Sequence, residues 1–92
     1  MKAPRLLNAS KVGLSVEGAT YIGRPSPYGN PYVVGVHGER GECIEMFASW
    51  IQKPEQSWLV EIAKRELKGK DLICWCAPKP CHGRVWLGIV ND

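Results

Sequence analysis

Apolar positions along the chain follow two different periods, and the switches between them divide it into elements. Residues 5–8, with Leu6 and Leu7, form a short candidate strand. A Gly- and Ser-containing loop leads to a second strand at residues 19–23, where Thr20, Tyr21 and Ile22 favour extended backbone. Tyr32, Val33, Val34 and Val36 read as a third strand or a packed extended segment. Over residues 41–52 the period becomes helical, with Cys43, Ile44, Phe47, Trp50 and Ile51 on one stripe and Pro54 beyond its end. A second helix is expected from about Glu55, burying Trp58, Leu59 and Ile62 and stopping at Lys68 and Gly69. Asp71 to Cys76 returns to the strand period, placing Leu72, Cys74 and Cys76 on one face and Ile73 and Trp75 on the other. Both faces are apolar, as in a strand covered on both sides. Pro78 and Pro80 then delay the last helix until about Cys81, after which Val85, Trp86 and Ile89 recur at helical spacing. The order implies one α/β domain over residues 1–92, with a three- to four-stranded central sheet and about three helices. Leu72, Ile73 and Trp75 are expected to be buried between helices carrying Phe47, Trp50, Trp58 and Trp86.

Composition narrows the setting. With 92 residues, 45% of them apolar and four tryptophans, the chain can bury a single core. No apolar run approaches the roughly 20 residues that span a bilayer. The basic start, Met1-Lys2-Ala3-Pro4-Arg5, lacks the apolar stretch of a secretory signal. A cytoplasmic protein with reduced cysteines and no membrane partner is therefore expected. The net charge of +3 is mild. Lys64, Arg65, Lys68 and Lys70 have Glu61, Glu66 and Asp71 beside them, which favours a solvated face over a nucleic-acid patch, although nucleic acid stays open as a partner.

Candidate chemistry concentrates at the turn after the strand beginning at Asp71. Cys74, Cys76, Cys81 and His82 fall within nine positions, and three readings compete for them. Three thiolates and an imidazole match a structural zinc set, but the spacing is not that of the common zinc motifs, and Cys74 belongs to the sheet. Alternatively, Cys81 at a helix N-terminus is an acidified thiol and His82 a general acid or base. Finally, buried cysteines act as small hydrophobes, the reading favoured for Cys74 and Cys43. The preferred assignment makes Cys81 and His82 catalytic and needs no metal or other cofactor; zinc on Cys74, Cys76, Cys81 and His82 is the alternative.

A second constellation fills residues 23–32, Gly-Arg-Pro-Ser-Pro-Tyr-Gly-Asn-Pro-Tyr. Its prolines and glycines specify an ordered, turn-rich loop. Arg24 offers a fork for phosphate or carboxylate, Ser26 and Asn30 add polar contacts, and Tyr28 and Tyr32 can stack on a ring. The motif lacks the lysine of a P-loop and the spacing of a dinucleotide fingerprint. Because each constellation follows a strand, the two can meet at one sheet edge, where Arg24 and the Cys81 helix terminus would share an anion. Gly23, Arg24, Ser26, Tyr28, Asn30, Cys76 and Gly83 are thus the expected binding residues. The expected ligand is a phosphate-bearing small molecule or nucleotide. A non-catalytic module that engages a protein partner is the alternative.

The residues 21–32, with the Gly-Lys-Asp-Leu-Ile-Cys-Trp-Cys-Ala-Pro run from Gly69 and Cys81-His82-Gly83, resemble an uncharacterised bacterial and phage family, domain of unknown function 4326. Its members carry an Ile-Gly-Arg-Pro-Ser type motif and a Cys-His-Gly motif, and the resemblance covers about residues 5–90. Pro27-Tyr28 varies the family's usual pair before Gly-Asn-Pro, and Arg84 stands where an acidic residue is frequent. The resemblance implies that both constellations belong to one design and supplies no activity.

Overall fold

A computed structural model describes residues 4–24, 26–76 and 79–91. Three strands, β1 (Leu6–Asn8), β2 (Ala19–Tyr21) and β3 (Asp71–Cys74), form a parallel sheet in the order β1-β3-β2. The register pairs Leu6 with Leu72 on one side of β3 and Thr20 with Leu72 on the other. All three strands therefore end at the same edge. As the central strand, β3 has its apolar residues covered: Leu72, Ile73 and Cys74 are all buried.

Four helices accompany the sheet: α1 (Ala9–Val12), α2 (Arg40–Ile51), α3 (Ser57–Leu67) and α4 (Gly83–Asn91). Asn8 starts α1 by accepting the Ser10 amide on its side-chain oxygen at 2.8 Å. At the start of α2 the Glu39 amide donates to Glu42 Oε1 at 2.9 Å. A 3₁₀ turn at Pro54–Gln56 separates α2 from α3. Leu59, Ala63 and Leu67 give α3 one buried face at four-residue spacing, and α3 packs on α4. Trp86 of α4 is fully buried at the centre, meeting Phe47 at 5.7 Å and Tyr28 at 5.5 Å between ring centroids, both edge to face.

The α/β class, the central strand and the three longer helices match the expectation from sequence. Four local expectations are corrected. Residues 32–36 are not a strand: the Val36 and His37 amides both donate back to the Val33 carbonyl, and Gly35 at φ 89° closes the turn. Trp75 is 56% exposed because β3 ends at Cys74, so the alternation that would bury residue 75 no longer operates. Trp58 is 57% exposed, one position off the buried α3 face that begins at Leu59. The short α1 interrupts what reads as loop in the sequence. No helix among the described residues is long and apolar enough to cross a membrane.

Candidate functional site at the carboxyl edge of the sheet

Beyond the sheet edge, β2 continues for one more bond, the Ile22 amide donating to the Ile73 carbonyl at 2.9 Å. Two successive turns follow, with Ser26 N donating to Gly23 O and Gly29 N to Ser26 O. The chain after β3 turns as well, the Lys79 amide donating to the Cys76 carbonyl at 2.8 Å. These turns and the start of α2 enclose a cleft of about 310 Å³. Such a crevice, outside the carboxyl ends of parallel strands, is where open α/β sheets take ligands.

Six of the nine residues assigned from sequence line this cleft: Gly23, Arg24, Asn30, Cys76, Cys81 and His82. The lining does not include Ser26, Tyr28 or Gly83. Tyr28 is buried; its hydroxyl donates to Glu66 Oε1 at 2.6 Å, and burial and that bond push its pKa up to about 12. Gly83 is a packing residue, because a Cβ there would run into Leu6 Cδ2 and within 3.0 Å of Ile22 Cδ1. Gly23 likewise lies under the Tyr21 ring, where a Cβ would meet the ring carbon Cε1 at 2.8 Å. Asn30 ties the loop to α2, its amide donating to the Cys43 carbonyl at 3.2 Å while its oxygen accepts from the Tyr32 amide at 2.9 Å.

His82 joins the two constellations. Its Nε2 lies 3.0 Å from the Ile22 carbonyl, just before the loop, and 3.1 Å from the Tyr28 carbonyl, inside it. Carbonyls only accept, so Nε2 carries the proton and Nδ1 keeps its lone pair. That lone pair lies 3.5 Å from Cys81 Sγ. Burial holds the His82 pKa below its ordinary value against the pull of both carbonyls, and the nearby Arg24 charge lowers it further. Trp86 Nε1 also donates to the Tyr28 carbonyl, at 2.8 Å. The loop is therefore fastened from below by two rings of the last segment.

The expected acidified thiol is not found at Cys81. Its Sγ donates to Cys74 Sγ at 3.1 Å, and that bond together with burial drives the thiol pKa up, outweighing the Gly83 amide. Nor is the α4 terminus open to an anion. The Gly83 amide donates to Cys81 Sγ at 3.4 Å, the Arg84 amide to the Cys81 carbonyl, and the Val85 and Trp86 amides to the His82 carbonyl. A terminus so capped has no donor left to offer. Among the described residues, no group of three His, Cys, Asp or Glu side chains is arranged to hold a metal ion.

Sequence reasoning missed Arg40, Tyr21 and Trp75, all of which line the cleft. Arg40 opens α2, where a cation opposes the helix dipole, and that misplacement was the available signal. Its Nη1 reaches the Pro80 carbonyl at 3.4 Å. The aromatic wall is a relay: Trp75 Nε1 donates to the Tyr21 hydroxyl at 2.9 Å, which donates to the Arg24 carbonyl at 2.7 Å.

A family model described as Domain of unknown function (DUF4326) matches residues 7–92. The chain belongs to this family. It is 34% identical over 88 residues to a protein of Enterobacteria phage T4 described as an uncharacterized 12.4 kDa protein in the nrdA-td intergenic region, a match spanning 95% of this chain and 77% of the relative. No solved structure matches the chain significantly. In this DUF4326 chain the Gly-Arg-Pro-Ser and Cys-His-Gly segments are physically one unit, since the histidine of the second holds the carbonyls of Ile22 and Tyr28, which flank the first.

Proposed function

We propose that this domain binds a phosphorylated, ring-bearing small molecule of nucleotide type in the cleft at the carboxyl edge of its sheet. One observation carries the reading: Arg24 and Arg40 line the same cleft as Tyr21, Tyr32 and Trp75, with no Asp or Glu among the described lining residues. Two guanidinium groups in a recess raise the local positive potential, and the aromatic faces suit a planar ring. A nucleotide offers both. Among the described residues the Arg24 guanidinium has no hydrogen-bond or ion-pair partner, so its donors are available to an anion.

The geometry favours binding over thiol catalysis. A protonated Cys81 is a poor nucleophile, and the Nε2 proton of His82 is committed to the loop. The group left to move a proton at the cleft floor is His82 Nδ1. Scanning calorimetry with a nucleoside monophosphate, the matching nucleoside and inorganic phosphate tests the reading. The nucleotide should raise the melting temperature most, by the equivalent of about 2.7 kcal/mol at a hundred times its Kd. Arg24→Ala should remove that increase while leaving the ligand-free melting temperature near the native one. No response to any nucleotide, or one unchanged in both Arg24→Ala and Arg40→Ala, overturns it.

A further inference from the structure

We propose that Cys74 and Cys81 are a redox pair at the floor of the cleft, converted by a small peroxide into an intramolecular disulfide and restored by a dithiol. Their sulfurs lie 3.1 Å apart, at the end of β3 and just before α4, and both residues line the cleft. Closing that gap to a bond of about 2.0 Å asks for a movement of about 1 Å. Cys43, by contrast, turns its thiol to the Gly38 carbonyl at 3.7 Å. Three groups thus converge that have no common use in simple packing: two thiols and, 3.5 Å from Cys81 Sγ, the unprotonated nitrogen of His82.

The chemistry balances as follows. Cys81 turns its S–H from Cys74 to His82 Nδ1 and gives up the proton there as its sulfur attacks a peroxide oxygen, a slow step because the resting thiol is held protonated. The O–O bond breaks, Cys81 becomes a sulfenic acid, and the leaving oxygen takes the proton from His82 and departs as water or an alcohol. Cys74 sulfur then attacks the sulfenic sulfur, the S–S bond forms, and a second water leaves with the Cys74 proton. The dithiol loses two electrons and the peroxide gains them. Exposure is low, 1% for Cys74 and 2% for Cys81, which suits a small oxidant entering by the cleft and disfavours a bulky disulfide. Cys81 Sγ also accepts the Gly83 amide and adjoins the histidine that fastens the Arg24 loop, so oxidation acts on the cleft wall.

Purified, reduced full-length protein is treated with hydrogen peroxide, denatured, alkylated with N-ethylmaleimide and weighed by mass spectrometry. The expected product lacks two hydrogens, takes up two maleimides instead of four, and regains all four after dithiothreitol. The tryptic peptide of residues 71–84 holds Cys74, Cys76 and Cys81 together, so variants assign the bond. Cys43→Ser and Cys76→Ser should still form it; Cys74→Ser and Cys81→Ser should not. The native protein decides even where a variant fails to fold. Four alkylatable thiols after peroxide, or a disulfide that persists without Cys74 or Cys81, overturns the proposal.

Discussion

Replacing His82 with alanine should unfasten the loop that carries Arg24. The Ile22 carbonyl loses its imidazole partner, whereas the Tyr28 carbonyl keeps Trp86 Nε1. An unsatisfied buried carbonyl costs about 1–3 kcal/mol. The vacated ring volume adds to this, because the imidazole packs edge to face on Phe47 at 5.3 Å. The sum is about 3 kcal/mol, a large share of the 5–15 kcal/mol that holds a domain folded. For a domain of this size it corresponds to a fall of roughly 12–24 °C in melting temperature. His82→Gln separates the contributions, since the glutamine amide nitrogen can stand near the Nε2 position and donate to the same carbonyls. It should recover about half the loss, and urea unfolding of the three proteins measures the ratio directly. A His82→Ala protein within ~0.5 kcal/mol of native, the range of ordinary surface changes, would refute the clamp. So would a glutamine variant no better than alanine.

Two other outcomes follow from the same packing. His82 has a lowered pKa in the folded state, so the unfolded chain binds the proton first: stability is complete above the unfolded value near 6.5 and is lost as pH falls below it. Urea midpoints measured across that range should drop for native protein and drop less for His82→Gln; equal slopes would contradict the assignment. Trp75→Ala should cost no more than about 1.5 kcal/mol, the net worth of its bond to Tyr21, whereas Trp86→Ala should cost about 3–5 kcal/mol. Comparable losses in the two variants would show the strand running past Cys74.

The elements that sequence reasoning placed correctly are those with a local cause. β-branched and aromatic residues mark β2, a helical stripe ending at Pro54 marks α2, and an apolar run marks β3. The role of His82 has no such cause. Its partners lie 60 and 54 residues away and are carbonyls, which every residue possesses, so no side-chain pattern announces them. Trp75 misled because alternation holds only while pairing lasts, and pairing stops one residue earlier. At Cys81 the dipole argument named a genuine influence and missed a larger one, the neighbouring Cys74 thiol, which only the tertiary structure supplies. Arg40 announced itself only as a cation misplaced at a helix start; that it reaches the cleft follows from topology, because α2 and the turn before α4 meet at the same sheet edge.

The strand order has a consequence for synthesis. β1 and β2 make no ladder with each other; each pairs only with β3, whose partner residues lie 66 positions beyond those of β1 and 52 beyond those of β2. While a ribosome extends the protein, both early strands must wait as unpaired edges, and the wait ends only when Asp71–Cys74 has left the exit tunnel. The helices α2 and α3, built from local bonds, can form in the meantime. The binding wall is completed later still, when the last segment delivers His82 and Trp86 beneath the loop. A nascent chain halted short of residue 71 would therefore be helical without a sheet, and a target for chaperones and proteases rather than a smaller version of the domain.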